Sequence, residues 1–433
     1  MMKRYCMVFP WLFVMISWAW SADEFLIRDG DRVVFWGDSI TDNAYYPRSV
    51  ENFVISRCPK WNVEFHNLGW GGDRTTTLER MKRDLPQYNP TLVTIKLGMN
   101  DGSYMEFTQE NFDKYINGYC RLLDFLREAT TARIVLITTV PYETDVMPVR
   151  KRNNQDFDMS VYNDTLRRFS DGVVELAKEY KADLIDLNAL YAQMLKESKA
   201  KDSGFKLSGD AIHPNVNGQA YMAYFILMGL HAPGAIADVI VDAKAKTIVQ
   251  EKGAFIRNLK CEGDQISFTR QDRALPFRFS SEDQFDARVI QKEKWYNDLN
   301  RDRFTVKNLP QPYALLSMDG EAIAVLSREQ LEAGINLSLL PNSPMLKHGA
   351  LLADMMTEIR HKTEYTRWRH YLLSGVGSPN DFTPYKPESI YTQFLKETAD
   401  FFHQAQLKYN DPVPHDFALT CGEKETLEKS LKK

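Results

Sequence analysis

Cysteine is scarce in this sequence, five residues in 433, and none of it is arranged to hold a metal. No Cys-x-x-Cys and no Cys/His cluster has zinc-site spacing. An excess of one charge is also missing. Lys and Arg number 54 against 58 Asp and Glu, a net −4, which argues against a nucleic-acid binder working through a strongly basic face. With Gly 22, Pro 19, 12% aromatic and 26% charged residues, collagen-like repeats, low complexity and disorder are excluded. Internal repeats are absent, and past the first twenty or so residues no apolar run approaches the ~20 residues that span a bilayer. What is present is 44% apolar residues, enough for a sizeable core. The length sets a prior of about two or three domains.

The N-terminus reads as an export signal. Lys3 and Arg4 precede the apolar run Tyr5–Trp20, and Ala19 and Ser21 supply small residues for cleavage after Ser21. The run is short for a membrane anchor. Residues 1–21 are therefore expected to be removed, leaving a chain of net −6 without a membrane span, in the periplasm or outside the cell. Cys6 departs with the signal. Cys58, Cys120, Cys261 and Cys421 are an even number in an oxidising compartment, which permits disulfides without specifying their pairing.

From residue 22 to about 235, strand and helix signals alternate. Val33–Trp36, Val63–Phe65, Leu92–Leu97, Arg133–Val140 and Asp183–Leu187 are apolar or β-branched runs of strand length. Phe112–Leu126, Val161–Tyr180 and Ala220–Leu230 carry apolar residues at three- and four-residue steps. This alternation predicts an α/β fold, a parallel sheet between helical layers, with ligands beyond the carboxyl ends of the strands. Residues 236–433 read as a smaller β-rich and then helical region. Asp319-Gly320 between alternating runs signals a hairpin. The Lys-rich end from Glu423 is expected to fray.

Four loops after these strands carry chemistry. Gly37-Asp38-Ser39-Ile40 puts a serine at a strand end. In Asn67-Leu68-Gly69-Trp70-Gly71-Gly72-Asp73, the glycines mark a backbone path that side chains would forbid, or a close approach to a ligand. A phosphate loop is the rival for that segment, but it has no Gly-Lys-Ser/Thr. Gly98-Met99-Asn100-Asp101-Gly102 could aim an amide at a substrate oxygen. Asp210-Ala211-Ile212-His213-Pro214 spaces an acid so that it can hold one imidazole nitrogen and free the other as a base. The other histidines (His66, His231, His348, His361, His370, His403 and His415) have no such neighbour in the sequence and are read as structural.

Taken in order, these four segments resemble the SGNH hydrolases, also called the GDSL esterase/lipase family, with Ile40 where the common signature has Leu. The motifs cover roughly residues 31–230, and the remainder resembles the C-terminal extension of exported bacterial members. The resemblance implies a three-layer α/β/α domain over 22–235. It also implies a triad of Ser39, His213 and Asp210, an oxyanion hole from the N–H groups of Ser39 and Gly72 and the amide of Asn100, and no metal or organic cofactor.

The ester is less sharply marked, because the family includes carbohydrate acetylesterases, lipases, lysophospholipases and thioesterases. Aromatics near the motifs and the lack of an evident apolar lid favour acetyl esters of a polysaccharide or its fragments. Asp38, Trp70 and Tyr142 are candidate substrate contacts, with Asp38 more readily a turn-stabilising residue. A sugar O-acyltransferase would use the same triad. Oligomeric state is left open.

Overall fold

The computed structural model describes residues 24–152, 154–373 and 390–432; the signal segment 1–21 lies outside them. Five parallel strands form the first sheet: β1 (Arg32–Gly37), β2 (Glu64–Gly69), β3 (Leu92–Lys96), β4 (Arg133–Ile137) and β5 (Asp183–Ile185), in the order β2-β1-β3-β4-β5. Alternate residues of β1 serve opposite faces. Val33 and Phe35 join the helices Tyr45–Arg57 and Val216–Gly229, while Val34 and Trp36 join Gln109–Ala129 and Tyr162–Glu179. Both faces are covered, which is why the strands read as nearly unbroken apolar runs. This is the α/β/α layering expected from the sequence.

Strand ends differ from the sequence reading for local reasons. The fourth run stops at Ile137 rather than Val140, because its neighbour strand ends at Ile185, whose carbonyl takes the last ladder bond from the Thr138 N–H (3.1 Å), and Pro141, which lacks an N–H, follows soon after. The fifth run was expected to reach Leu187. It ends at Ile185 because Asp186 caps the helix Leu187–Lys201, accepting from the Ala189 N–H. A short hairpin, Val149–Arg152 with Gln155–Asp158, has no clear sequence signal because its strands are polar and mostly exposed.

Residues 235–422 hold two further sheets. One is a four-stranded mixed sheet containing Ala235–Asp242 and Arg301–Lys307; the other is a five-stranded antiparallel sheet containing Gln265–Asp272, Tyr313–Met318 and His415–Gly422. They share one core, in which Phe268, Phe304 and Phe417 meet. Asp319 (φ 50°) and Gly320 (φ 81°) make the two-residue turn of the expected hairpin. The C-terminal end does not fray: Lys424–Leu431 is helical and buries Leu427.

Parts of the second half complete the first core. Phe277, Phe279, Trp295 and Leu299 pack on the outer side of the Tyr45–Arg57 and Val216–Gly229 helices. The helix Glu358–Leu373 lies on the edge of the parallel sheet, where Arg360 is paired with buried Glu51 (2.8 Å) and Trp368 is buried with Trp70. Among the described residues, Cys58, Cys120, Cys261 and Cys421 are free thiols. No helix among the described residues is long and apolar enough to cross a membrane.

Candidate active site

The chain leaves β1, pairs β2 on one side and returns to place β3 on the other. The crevice opened at this reversal lies beyond the carboxyl ends of β1 and β3, and the sequence motifs meet there. Asp38 caps the short helix Ser39–Asp42 by accepting from the Ile40 N–H (3.0 Å), which leaves half-buried Ser39 on its first turn. Gln219, from the helix Val216–Gly229, fixes this turn by donating to the Ile40 carbonyl (3.0 Å).

Ser39 Oγ lies 2.8 Å from His213 Nε2, and His213 Nδ1 lies 2.6 Å from Asp210 Oδ2. The second Asp210 oxygen accepts from the His213 N–H (2.8 Å), the Ile212 N–H (3.0 Å) and Ser208 Oγ (3.1 Å). Burial by itself would raise the Asp210 pKa. The hydrogen bonds from the His213 side chain and from the backbone outweigh it and hold the carboxyl at about 2. An ionised carboxylate only accepts, so Nδ1 is the donor and the unprotonated Nε2 accepts from Ser39 Oγ. The loop bearing Asp210 is anchored by Glu143, whose carboxylate accepts from the Leu207 N–H and whose own N–H donates to the Ala211 carbonyl (each 3.0 Å).

On the opposite side of Ser39, the second motif makes two demands on its glycines. A Cβ on Gly69 would stand 2.3 Å from the Asp42 backbone nitrogen, so the strand end and the serine helix touch only because no side chain intervenes. Gly72 has φ +78° at the third position of a turn closed by the Asp73 N–H onto the Trp70 carbonyl (3.1 Å). Among the described residues, neither the Gly72 nor the Ser39 N–H has a hydrogen-bond partner.

Asn100 is set beside them by two side-chain hydrogen bonds. Its Nδ2 donates to the Asp73 carbonyl (3.1 Å) and its Oδ1 accepts from Tyr104 Oη (2.9 Å). A carbonyl can only accept, which fixes the amide orientation and leaves one N–H of Nδ2 for a ligand oxygen. Tyr104 reaches back through a strained turn in which Ser103 and Tyr104 both have positive φ (55° and 56°). Beneath it, Asp101 Oδ1 accepts from the Thr75 N–H and Oγ1 (2.9 Å each), while Oδ2 is buried without a partner. Burial pushes this carboxyl up to about 6.

Two candidate contacts lie out of a substrate's reach. Asp38 is fully buried, paired with the equally buried Lys96 ammonium (3.1 Å). Tyr142 is 1% exposed, and its hydroxyl donates to the Met147 carbonyl (3.0 Å). Trp70 is half-buried, its ring covered by the Arg369 guanidinium at 3.7 Å.

The sequence reading missed several supporting residues. Lys96 had a signal, a lysine closing an otherwise apolar strand. Arg80 ties Asp73 down (2.5 Å) and lies 3.6 Å over the Trp36 ring, and nothing in its helical context marks it. Tyr365 and Arg369, both bonded to Asp42, come from more than 300 residues away. His361 and His415 do have carboxylate neighbours, Glu51 at 3.9 Å and Asp319 at 2.7 Å, supplied by distant segments. His370 lies where side chains are not described.

Residues 35–221 match the model of the GDSL-like Lipase/Acylhydrolase family. The match covers somewhat less than half of the chain. A gut microbial diltiazem-metabolizing enzyme is similar over 92% of this chain and 98% of its own, with 24% identity and a TM-score of 0.79. The GDSL-like domain and the β-rich region after it thus share a fold with one solved structure. An acetylxylan esterase from Geobacillus stearothermophilus is 22% identical over 47% of this chain and 95% of its own (TM-score 0.38). A hydrolase from the metagenome of Lake Arreo is 22% identical over 48% and 98% (TM-score 0.35). No curated protein matches the sequence.

Proposed function

We propose that this protein is an exported serine esterase that removes small acyl groups, acetyl above all, from carbohydrate esters. The observation that carries the reading is the hydrogen-bonded series Ser39 Oγ, His213 and Asp210, at 2.8 and 2.6 Å. In this reading Ser39 attacks the ester carbonyl as His213 Nε2 takes its proton, and Asp210 stabilises the imidazolium. The tetrahedral oxyanion is received by the N–H groups of Ser39 and Gly72 and the free N–H of Asn100. His213 then protonates the departing alcohol, and water, deprotonated by the same imidazole, releases the acid. Both steps use only these side chains and water. Export rests on the N-terminal Lys-Arg and apolar run.

The preference for acetyl is supported by the polar surroundings of the crevice, where Arg74, Ser103 and Asn100 stand close together. A long acyl chain needs a continuous apolar trough, since each buried CH₂ contributes only about 0.8 kcal/mol. The test is hydrolysis of p-nitrophenyl esters from acetyl to palmitoyl by the wild type and Ser39→Ala, with mass spectrometry of an organophosphonate adduct. Loss of turnover and of the adduct in a folded Ser39→Ala protein is expected, with kcat/KM highest for acetate. Near wild-type turnover by that variant would remove Ser39 as nucleophile, and rates rising steadily with chain length would favour a lipase.

A further inference from the structure

Most partly or fully buried arginines near the parallel sheet have a carboxylate partner. Arg80 pairs with Asp73, Arg133 with Asp31, Arg167 with Asp171 and Asp186, Arg360 with Glu51, and Arg369 with Asp42. Arg32 and Arg57 donate instead to carbonyl oxygens; Arg74 and Arg150 do neither, and both border Asn100. Arg74 follows Asp73 in the glycine-rich loop and donates to Ser103 Oγ (3.1 Å). Arg150, on the Val149–Arg152 hairpin, lies 4.0 Å over the Tyr104 ring, and Tyr104 is the residue that holds the Asn100 amide. Among the described residues, neither guanidinium has a carboxylate within 4.0 Å. Arg150 Nη1 is moreover buried without a hydrogen-bond partner, a condition that calls for a ligand or water to satisfy it.

From this we infer that the alcohol half of the substrate carries an anionic group, and that Arg74 and Arg150 receive it beside the oxyanion amide. The inference rests on the esterase reading and names its substrate class: an acetylated acidic sugar, with a uronate carboxylate or a sulfate near the acetylated hydroxyl. A guanidinium presents a planar fork of donors that suits either anion. An acetyl group is neutral, so the charge belongs to the sugar. Fixed cations here would also draw an anionic glycan toward a protein whose overall net charge is −4.

The test compares acetylated oligogalacturonate, an acetylated sulfated galactan fragment and acetylated xylo-oligosaccharides, with p-nitrophenyl acetate as a neutral reference, each at low and at high NaCl. The expected result is a higher kcat/KM for one of the anionic substrates over the neutral xylo-oligomer, with the advantage shrinking as salt screens it. The arm that shows it identifies carboxylate or sulfate. In Arg74→Gln and Arg150→Gln, the anionic-to-neutral ratio should fall roughly tenfold or more, the worth of one hydrogen bond to a charged group. Arg150→Lys should keep part of it. Because the readout is a ratio, a general loss of activity through Tyr104 does not mimic the effect. Equal kcat/KM on charged and neutral esters, indifferent to salt, would overturn the inference while leaving the esterase reading intact. Failure to cleave any ester, p-nitrophenyl acetate included, would overturn both.

Discussion

Arg369 Nη2 bridges the two carboxylate oxygens of Asp42, at 2.8 and 2.7 Å. Asp42 ends the short helix that begins at Ser39, and the same guanidinium lies 3.7 Å over the ring of Trp70, which opens the turn presenting Gly72. One side chain from the distant helix Glu358–Leu373 thus clamps the turn that carries Ser39 to the loop that carries Gly72. Tyr365 adds a hydrogen bond to Asp42 (2.8 Å). This contact makes the distant helix part of the support for the Ser39 turn.

Arg369→Ala should lower kcat by roughly ten- to a hundredfold, the range expected when reacting groups drift by a fraction of an ångström to an ångström. KM for a small ester should change little, since Arg369 acts through Asp42 and Trp70. Arg369→Lys should restore part of kcat by keeping the charge on Asp42. A rise in KM alone at unchanged kcat would make Arg369 a direct substrate contact instead.

The Tyr104–Asn100 bond orders two variants. In the proposed mechanism Asn100 is an oxyanion donor, so Asn100→Ala should reduce kcat by about 10²–10³-fold. Tyr104→Phe leaves the amide in place, still held by the Asp73 carbonyl, and should cost far less. Steady-state kinetics on p-nitrophenyl acetate separate them; equal losses would mean that the tyrosine hydroxyl itself serves the reaction.

Asp38 and Lys96 are both fully buried, so removing either partner strands a charge. Asp38→Ala also removes the helix cap, and a loss of about 3–5 kcal/mol is expected from the unpaired lysine. Urea unfolding measures it. A destabilisation under about 1 kcal/mol would show that the pair is dispensable.

Asp101 gives a pH dependence of stability with a defined sign. Its carboxyl is raised by burial from 3.8 to about 6, so between those values the folded state holds a proton that the unfolded state has released. Stability from this group therefore falls as pH rises through that window and stays reduced above it. The loss is at most about 3 kcal/mol. Asp101→Asn keeps an acceptor for Thr75 and carries no charge. It should raise Tm relative to the wild type at pH 8 and lose that advantage near pH 4. An equal effect at both pH values would show that Asp101 does not titrate in this window.

Much of the parallel sheet was legible in the sequence because strands covered on both faces are nearly all apolar, as Ile134–Ile137 is throughout and Leu92–Ile95 is apart from Thr94. The four loop motifs were legible because tight turns after strands need glycine and short polar residues at fixed offsets, as at Gly69 and Gly72. Local chemistry also marked the Asp319-Gly320 hairpin and placed Asp210 three residues before His213. What the sequence could not decide was anything resting on partners distant along the chain. Asp38 and Tyr142 stood close to the motifs, yet the fold buries both. Meanwhile Arg369, more than 320 residues from Ser39, arrives at the turn that carries it. A carboxylate's neighbour is set by which helix packs on which sheet edge, so the pairing of Asp42 with Arg369, or of Glu51 with Arg360, belongs to the tertiary structure alone.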